Sequence, residues 1–165
     1  MMYFLLSTAL AAVLYVDPNS GPVPPLGTWT TLGGAVGAAA PGDVIRVEPG
    51  DYSGEPTLVM PRTVTIEGTG TPEQVLFPAA IVTNSVVYGL PTVSISRASL
   101  GCPLDPLTPA LHRMAGTLEL TDVHFDCGDL VDRTGVLAEG SQLLTVTDSH
   151  FTGSGTMIEL SLIHI

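Results

Sequence analysis

The chain has 165 residues, with sixteen acidic residues, five arginines and no lysine, and its formal net charge is −11. A surface this acidic repels the phosphates of DNA and RNA, so we expect no nucleic-acid partner. The length suits one domain, and the 18 glycines and 14 prolines suit a fold with many turns. Only 13% of the residues are charged, which favours a continuous packed core over disorder.

The first segment of the chain is apolar. Residues 3–16 contain no charged side chain, but they fall short of the roughly 20 residues that a membrane-spanning helix needs, so we expect no stable membrane span. Ala9-Leu10-Ala11 has the small-x-small form of a signal peptidase site, which predicts a signal peptide over residues 1–11 and a secreted or cell-surface protein. The opposing interpretation is a buried first strand at Leu14-Tyr15-Val16, since Met1-Met2 carries no basic residue.

A capping helix is predicted next. Thr30 or Thr31 can serve as the N-cap, and Pro41-Gly42 ends the segment. The apolar residues between them recur at helical spacing: Leu32, Ala35, Val36 and Ala39. A helix here would cover the first coil of a stacked fold, with Trp29 packing beneath it or serving as a platform for a sugar.

Short alternating strands then recur along the chain. Ile45/Val47, Leu58/Met60 and Val64/Ile66 are expected to form the three sides of one coil. Later pairs at Val93/Ile95, Leu118/Leu120 and Leu144/Val146 repeat the pattern at intervals of 25–29 residues. The segment 121–125 also returns as 147–151. This period predicts an all-β fold, a right-handed parallel β-helix of about four to five coils over residues 12–160.

The two cysteines test this period. Cys102 and Cys127 are 25 residues apart, the offset that also maps Val93 onto Leu118. Equivalent positions on adjacent coils lie about 4.8 Å apart, within the range that a disulfide needs. We therefore predict a Cys102–Cys127 disulfide between coils, with two unrelated buried thiols as the alternative.

Residues 14–160 resemble the right-handed parallel β-helix proteins of the pectin-lyase-like superfamily. The similarity is most specific from Pro41 to Gly68, and it rests on these segments: Val16-Asp17-Pro18, the capping helix, Pro41-Gly42-Asp43, Pro49-Gly50-Asp51-Tyr52 and Val64 to Gly68. The resemblance implies the architecture and leaves the activity open, because one fold serves many functions.

Two polar columns follow from the repeat. Ser99, His124 and His150 share one, and the histidines could share a metal or form a ladder of hydrogen bonds. The other holds Gly68, Arg97, Asp122 and Asp148, in which we expect Arg97 to pair with Asp122. Asp122, Asp126, Asp129 and Asp148 are candidate ligands for Ca²⁺, against the interpretation of a solvated acidic surface.

Catalytic residues are harder to find. The resemblance implies hydrolase motifs such as Asn-Thr-Asp and Gly-His-Gly, and neither occurs. Lyases of this superfamily use a basic side chain beside calcium, for which Arg113 and Arg133 are the candidates. Arg113 is expected in a bulging loop over residues 102–116.

The preferred interpretation is therefore an exported or cell-surface module, structural or in contact with a polysaccharide. One alternative is a fragment of a polysaccharide lyase or glycoside hydrolase with its catalytic coils elsewhere, and another is a calcium-stabilised adhesion module. We expect a monomer or part of a longer chain. Residues 161–165 are interpreted as a non-native tail.

Overall fold

A computed structural model describes residues 10–20, 27–78, 81–83, 91–105, 107–114, 116–129, 133–139, 143–153 and 155–161. Its elements, in chain order, are β1 (Val13–Val16), β2 (Thr28–Trp29), α1 (Leu32–Ala38), β3 (Val44–Val47), β4 (Gly50–Asp51), β5 (Leu58–Met60), β6 (Val64–Gly68), a 3₁₀ helix (Pro72–Gln74), β7 (Val75–Phe77), β8 (Ile81–Thr83), β9 (Thr92–Gly101), β10 (Leu111–Arg113), β11 (Thr117–Asp126), β12 (Thr134–Glu139), β13 (Leu144–Thr147), β14 (His150–Thr152) and β15 (Thr156–Ser161). Most of the predicted signal peptide and of the predicted tail lies outside the described residues.

The strands stack in parallel as a β-solenoid of about four turns, which confirms the predicted parallel β-helix. Each coil has three sides. The first side carries β1, β3, β6, the first half of β9, the first half of β11, and β13; the second carries β4, β7, the later halves of β9 and β11, and β14; the third carries β5, β8, β10, β12 and β15. Every recorded strand pair is parallel, so each position lies above its equivalent on the preceding coil.

The core consists of columns of like residues. Phe77, Leu100, Phe125 and Phe151 follow one another in register along the second side. The rings of Phe125 and Phe151 stack with centroids 4.6 Å apart and planes inclined by 4°. Alternating sequence therefore becomes a continuous apolar interior, because every second side chain of a strand points to the same face.

The first coil differs from the prediction. Val64/Ile66 was expected to be its third side, but Ile45 pairs directly with Ile66, so β6 begins the next coil. The second side of the first coil is the two-residue strand β4, Gly50–Asp51. So short a strand contains no alternating apolar pair, and this is why the sequence pattern passes over it.

The corner between the first and second sides is made by residues in the left-handed region of backbone conformation. Arg97, Asp122 and Asp148 have φ values of 53°, 54° and 51°. Gly68 precedes Arg97 in the same column, and a Cβ at Gly68 would overlap the backbone of Arg97. The predicted column is confirmed, and its role is to turn the chain.

Helix α1 covers the amino-terminal coil, as predicted. The Thr31 side chain accepts a hydrogen bond from the Gly34 amide at 3.2 Å and caps the helix. Glu55, from the turn after β4, accepts hydrogen bonds from the amides of Leu32 and Gly33, each at 2.8 Å. These contacts satisfy backbone donors that the first turn of a helix leaves free.

The other end of α1 is held by a buried carboxylate. Asp43 is 6% exposed and accepts hydrogen bonds from the amides of Ala12 at 2.8 Å and Ala40 at 2.7 Å. The Arg62 guanidinium donates to the carbonyl of Ala39 at 2.6 Å. Asp43 therefore joins the start of β1, which is remote in sequence, to the short connection between α1 and β3.

The cysteine pair joins the coils of β9 and β11. Cys102 and Cys127 are paired as a disulfide, with Cα atoms 4.7 Å apart. The separation matches the distance between neighbouring strands, as the sequence period predicts.

Candidate functional site

An open cleft of about 720 Å³ lies beside the strands β1 and β3. Its lining combines one aromatic ring with acidic, amide and hydroxyl side chains: Tyr15, Asp17, Asn19, Ser20, Thr28, Glu48 and Pro49. Concave sites with an apolar surface and a few converging polar groups are the usual form of a ligand site. We therefore take this cleft as the candidate functional site.

Strand register sets the two carboxylates side by side. Val16 pairs with Val47, and the Glu48 amide donates to the carbonyl of Val16 at 2.8 Å. Asp17 and Glu48 are consequently the next residues on neighbouring strands. Each is followed by a proline, which has no N–H to continue a ladder, so both strands end at the edge of the cleft.

Each carboxylate uses one oxygen within the protein. Asp17 Oδ1 accepts from the Asn19 amide at 2.8 Å, and Glu48 Oε2 accepts from the Thr69 hydroxyl at 2.9 Å. Among the described residues, Asp17 Oδ2 and Glu48 Oε1 have no hydrogen-bond partner. Two acceptor oxygens are thus left for a ligand.

Beneath the carboxylates lies the buried phenol of Tyr52, whose hydroxyl donates to the carbonyl of Glu48 at 2.9 Å. Burial, followed by the negative charges of Asp17, Glu55 and Glu48, raises the pKa of Tyr52 well above its usual range. The phenol therefore remains a neutral donor, and the potential at this edge of the cleft is negative.

Tyr15 is the aromatic surface of the cleft. It is 42% exposed and lies in register with Thr28 and Arg46. The guanidinium of Arg46 lies 3.5 Å from a carboxylate oxygen of Glu67, which also pairs with Arg97. Both arginines on this side of the coil are therefore paired with Glu67.

These contacts correct one expectation. Arg97 was predicted to pair with Asp122 on the following coil, whereas the structure pairs it with Glu67 on the preceding one. The left-handed backbone at Arg97 ends the regular alternation of side chains, so register alone does not fix where its long side chain goes.

The candidate calcium ligands are placed along the second side and its corners. Asp122 and Asp148 occupy equivalent corners on adjacent coils. Asp126 accepts hydrogen bonds from the Gly128 amide at 3.0 Å and the Thr152 hydroxyl at 3.2 Å, and Asp129 lies in an exposed turn. Within the described part of the chain, no three acidic, histidine or cysteine residues are grouped as a metal site requires. Calcium binding stays a prediction.

The histidine column has the predicted register. Ser99, His124 and His150 follow one another, and the two imidazole centroids are 5.8 Å apart. His124 Nδ1 lies 3.1 Å from a carboxylate oxygen of Glu73, on the 3₁₀ helix. This contact suits the predicted ladder of hydrogen-bonding side chains.

The two candidate bases occupy different environments. Arg113 lies in β10, not in a loop as predicted, and is 1% exposed. Its guanidinium donates to the carbonyl of Gly116, and burial lowers the pKa of Arg113. Burial argues against contact with a polymeric substrate. Arg133 precedes β12 and is partly exposed, with its Nε and Nη1 atoms buried and unpaired; its role as a base stays a prediction.

Sequence analysis missed the cleft, although a signal for it exists. Val16-Asp17-Pro18 and Val47-Glu48-Pro49 repeat a valine–acid–proline pattern. They are 31 residues apart because the capping helix lies between them, so they fall outside the period of the later coils. Trp29, the aromatic residue that the sequence suggested as a sugar platform, packs against the core beside Gly34.

Comparison with known proteins adds no further assignment. Among the described residues, no helix combines the length and apolar character needed to cross a membrane. Comparison with family models, with curated proteins and with solved structures finds no match for this chain.

Proposed function

We propose that this protein is an exported or cell-surface β-solenoid module that contacts carbohydrate through its amino-terminal cleft. The observation that carries the proposal is the combination of the exposed Tyr15 ring with unpaired carboxylate oxygens and hydroxyl groups in one cleft. Sugars present C–H faces and hydroxyl rims. An aromatic ring packs against the C–H face of a sugar, and carboxylate, amide and hydroxyl groups form hydrogen bonds with its hydroxyl groups.

The solenoid supports this proposal by its shape. Stacked coils give long, regular outer sides, and repeat proteins commonly use such surfaces for extended ligands. The first side continues from Tyr15 as a row of polar residues in register, which are Arg46, Glu67, Ser96 and Thr121. A chain of sugars bound at Tyr15 could extend along this row.

Export is supported by the disulfide. Disulfides persist in oxidising compartments and are rare in the cytosol, so the Cys102–Cys127 pair suits a secreted or surface location. Membership of the pectin-lyase-like superfamily is part of the same proposal. It rests on the resemblance of residues 14–160 and on the β-solenoid architecture.

Glycan binding by the full chain tests the proposal. We expect Tyr15→Ala to weaken binding of a hexasaccharide by about tenfold, because the variant removes the stacking surface. Leu76→Ala is the matched control, since it truncates another exposed side chain on a different side of the solenoid. Failure of every glycan to bind, or equal losses in both variants, would contradict the proposal.

The same samples should be assayed for turnover. Ultraviolet absorbance of unsaturated products and release of reducing ends report on lyase and hydrolase activity respectively. A module without catalysis leaves both signals at the level of a blank. Sustained product formation would instead favour the enzyme alternative.

A further inference from the structure

The charge of the cleft restricts the sugars that it can bind. Among the residues that the structure describes, its lining contains the carboxylates of Asp17 and Glu48 and no basic side chain. The two residues follow paired positions on neighbouring strands, which lie about 4.8 Å apart. Like charges opposite each other on neighbouring strands are destabilising, and a bound cation relieves that repulsion.

The cation must suit the available ligands. Ca²⁺ takes six to eight oxygen ligands as a rule, and the two unpaired carboxylate oxygens supply few of them. An ammonium group needs only about three acceptors, because it has three N–H donors. The neighbouring Tyr15 ring also favours an organic cation, since ammonium groups are attracted to aromatic faces.

We infer that the cleft takes a sugar that carries a protonated primary amine, such as a 2-amino-2-deoxyhexose. This inference rests on the proposed carbohydrate function and names its substrate class. The ammonium group donates to Asp17 Oδ2 and Glu48 Oε1, while the sugar ring lies against Tyr15. Uronic acids are rejected by charge, and N-acetylated sugars lack the positive charge that the carboxylates bind.

Binding of four defined hexasaccharides to the full chain tests this inference: the fully deacetylated glucosamine hexamer, its N-acetylated form, cellohexaose and hexagalacturonate. We expect the glucosamine hexamer to bind at least about tenfold more tightly than the others, as measured by calorimetry. The double variant Asp17→Asn/Glu48→Gln should remove most of this preference, because it keeps the shape of the cleft and removes its charge. Asp105→Asn, a loss of charge in the exposed loop after β9, should change the affinity less than about twofold.

Each other outcome has a distinct meaning. Equal binding of hexalysine, or equal losses in Asp105→Asn and the double variant, would show general attraction to an acidic protein and overturn the inference. Equal binding of cellohexaose, unaffected by the double variant, would overturn the amine specificity and leave the carbohydrate proposal standing. If no hexasaccharide binds, both proposals fail. Calcium binding that is abolished by the double variant and blocks the sugar would identify a metal site and also overturn the inference.

Discussion

The amino-terminal coil and the middle coils of this solenoid are secured in different ways. At the amino-terminal end, α1 lies over the core, and the carboxylates of Asp43 and Glu55 hold both of its ends through backbone amides. In the middle, the Cys102–Cys127 disulfide joins one coil to the next. Hydrogen bonds stabilise the folded state locally, whereas a disulfide acts largely by restricting the unfolded chain. The two regions should therefore respond to different perturbations.

Removing the disulfide should destabilise the protein more than any single change at the amino-terminal coil. We expect Cys102→Ser/Cys127→Ser to lose about 3–4 kcal/mol of unfolding free energy, because a 25-residue loop is no longer closed in the unfolded chain. Denaturant unfolding with and without a reducing agent measures the loss. The reductant should destabilise the wild type and leave the double variant unchanged. Equal stabilities of oxidised wild type and variant would contradict the assignment.

Replacing the buried carboxylate tests the other region. In Asp43→Asn, an N–H₂ group replaces one of the two oxygens that accept hydrogen bonds from backbone amides, so one amide loses its acceptor. We expect a loss of about 2 kcal/mol of unfolding free energy. Asp51→Asn is the control, since Asp51 caps an exposed turn at Ser53 and should cost less than about 0.5 kcal/mol. Chemical denaturation gives both values. A similar loss of unfolding free energy in the two variants would show that Asp43 does not hold these segments together.

The helix cap should contribute less. We expect Glu55→Gln to cost about 1 kcal/mol, because a neutral side chain is a weaker acceptor for the free amides of a first helical turn. Hydrogen exchange should accelerate at Leu32 and Gly33, whose amides Glu55 binds, and remain unchanged in β11. Uniform acceleration throughout the protein would show instead that the coils unfold as one unit.

The smallest effect is expected at the left-handed corners of the later coils. Asp122 has a φ of 54°, and aspartate tolerates this conformation better than alanine does. Asp122→Ala should therefore lose about 0.5–1 kcal/mol, while Asp122→Gly should be close to neutral. Thermal unfolding distinguishes the two variants. A glycine variant less stable than the alanine variant would show that the carboxylate, and not the backbone, matters at this corner.

Much of the fold could be predicted because its elements repeat. Alternating pairs such as Val93/Ile95 and Leu118/Leu120 carry the strand signal, and their spacing sets the register that brings the cysteines together. The sides of the first coil were predicted wrongly because β4 is only two residues long and has no alternating apolar pair. A period also says nothing about the direction of a long side chain, and Arg97 accordingly pairs with Glu67.

The cleft could not be predicted in the same way. It forms where β1 and β3 end together, and the 31 residues from Asp17 to Glu48 include the helix that covers the core. The residues of the cleft also form no recognisable binding motif. A tyrosine and two acidic residues that precede prolines suggest only turns. Only parallel pairing of the two strands shows that these residues share one surface.

The left-handed corners have a consequence for lengthening the protein. Asp122 and Asp148 turn the chain at equivalent points with nearly equal φ values, and Phe125 lies flat against Phe151. A second copy of residues 118–143, inserted after residue 143, should therefore stack between the coils on either side of it. Each end of the copy would join a residue equivalent to its present neighbour in the sequence, because Leu118 and Leu144 are in register. Such duplication offers a way to extend the solenoid's outer sides in steps of one coil without redesigning the amino-terminal cleft.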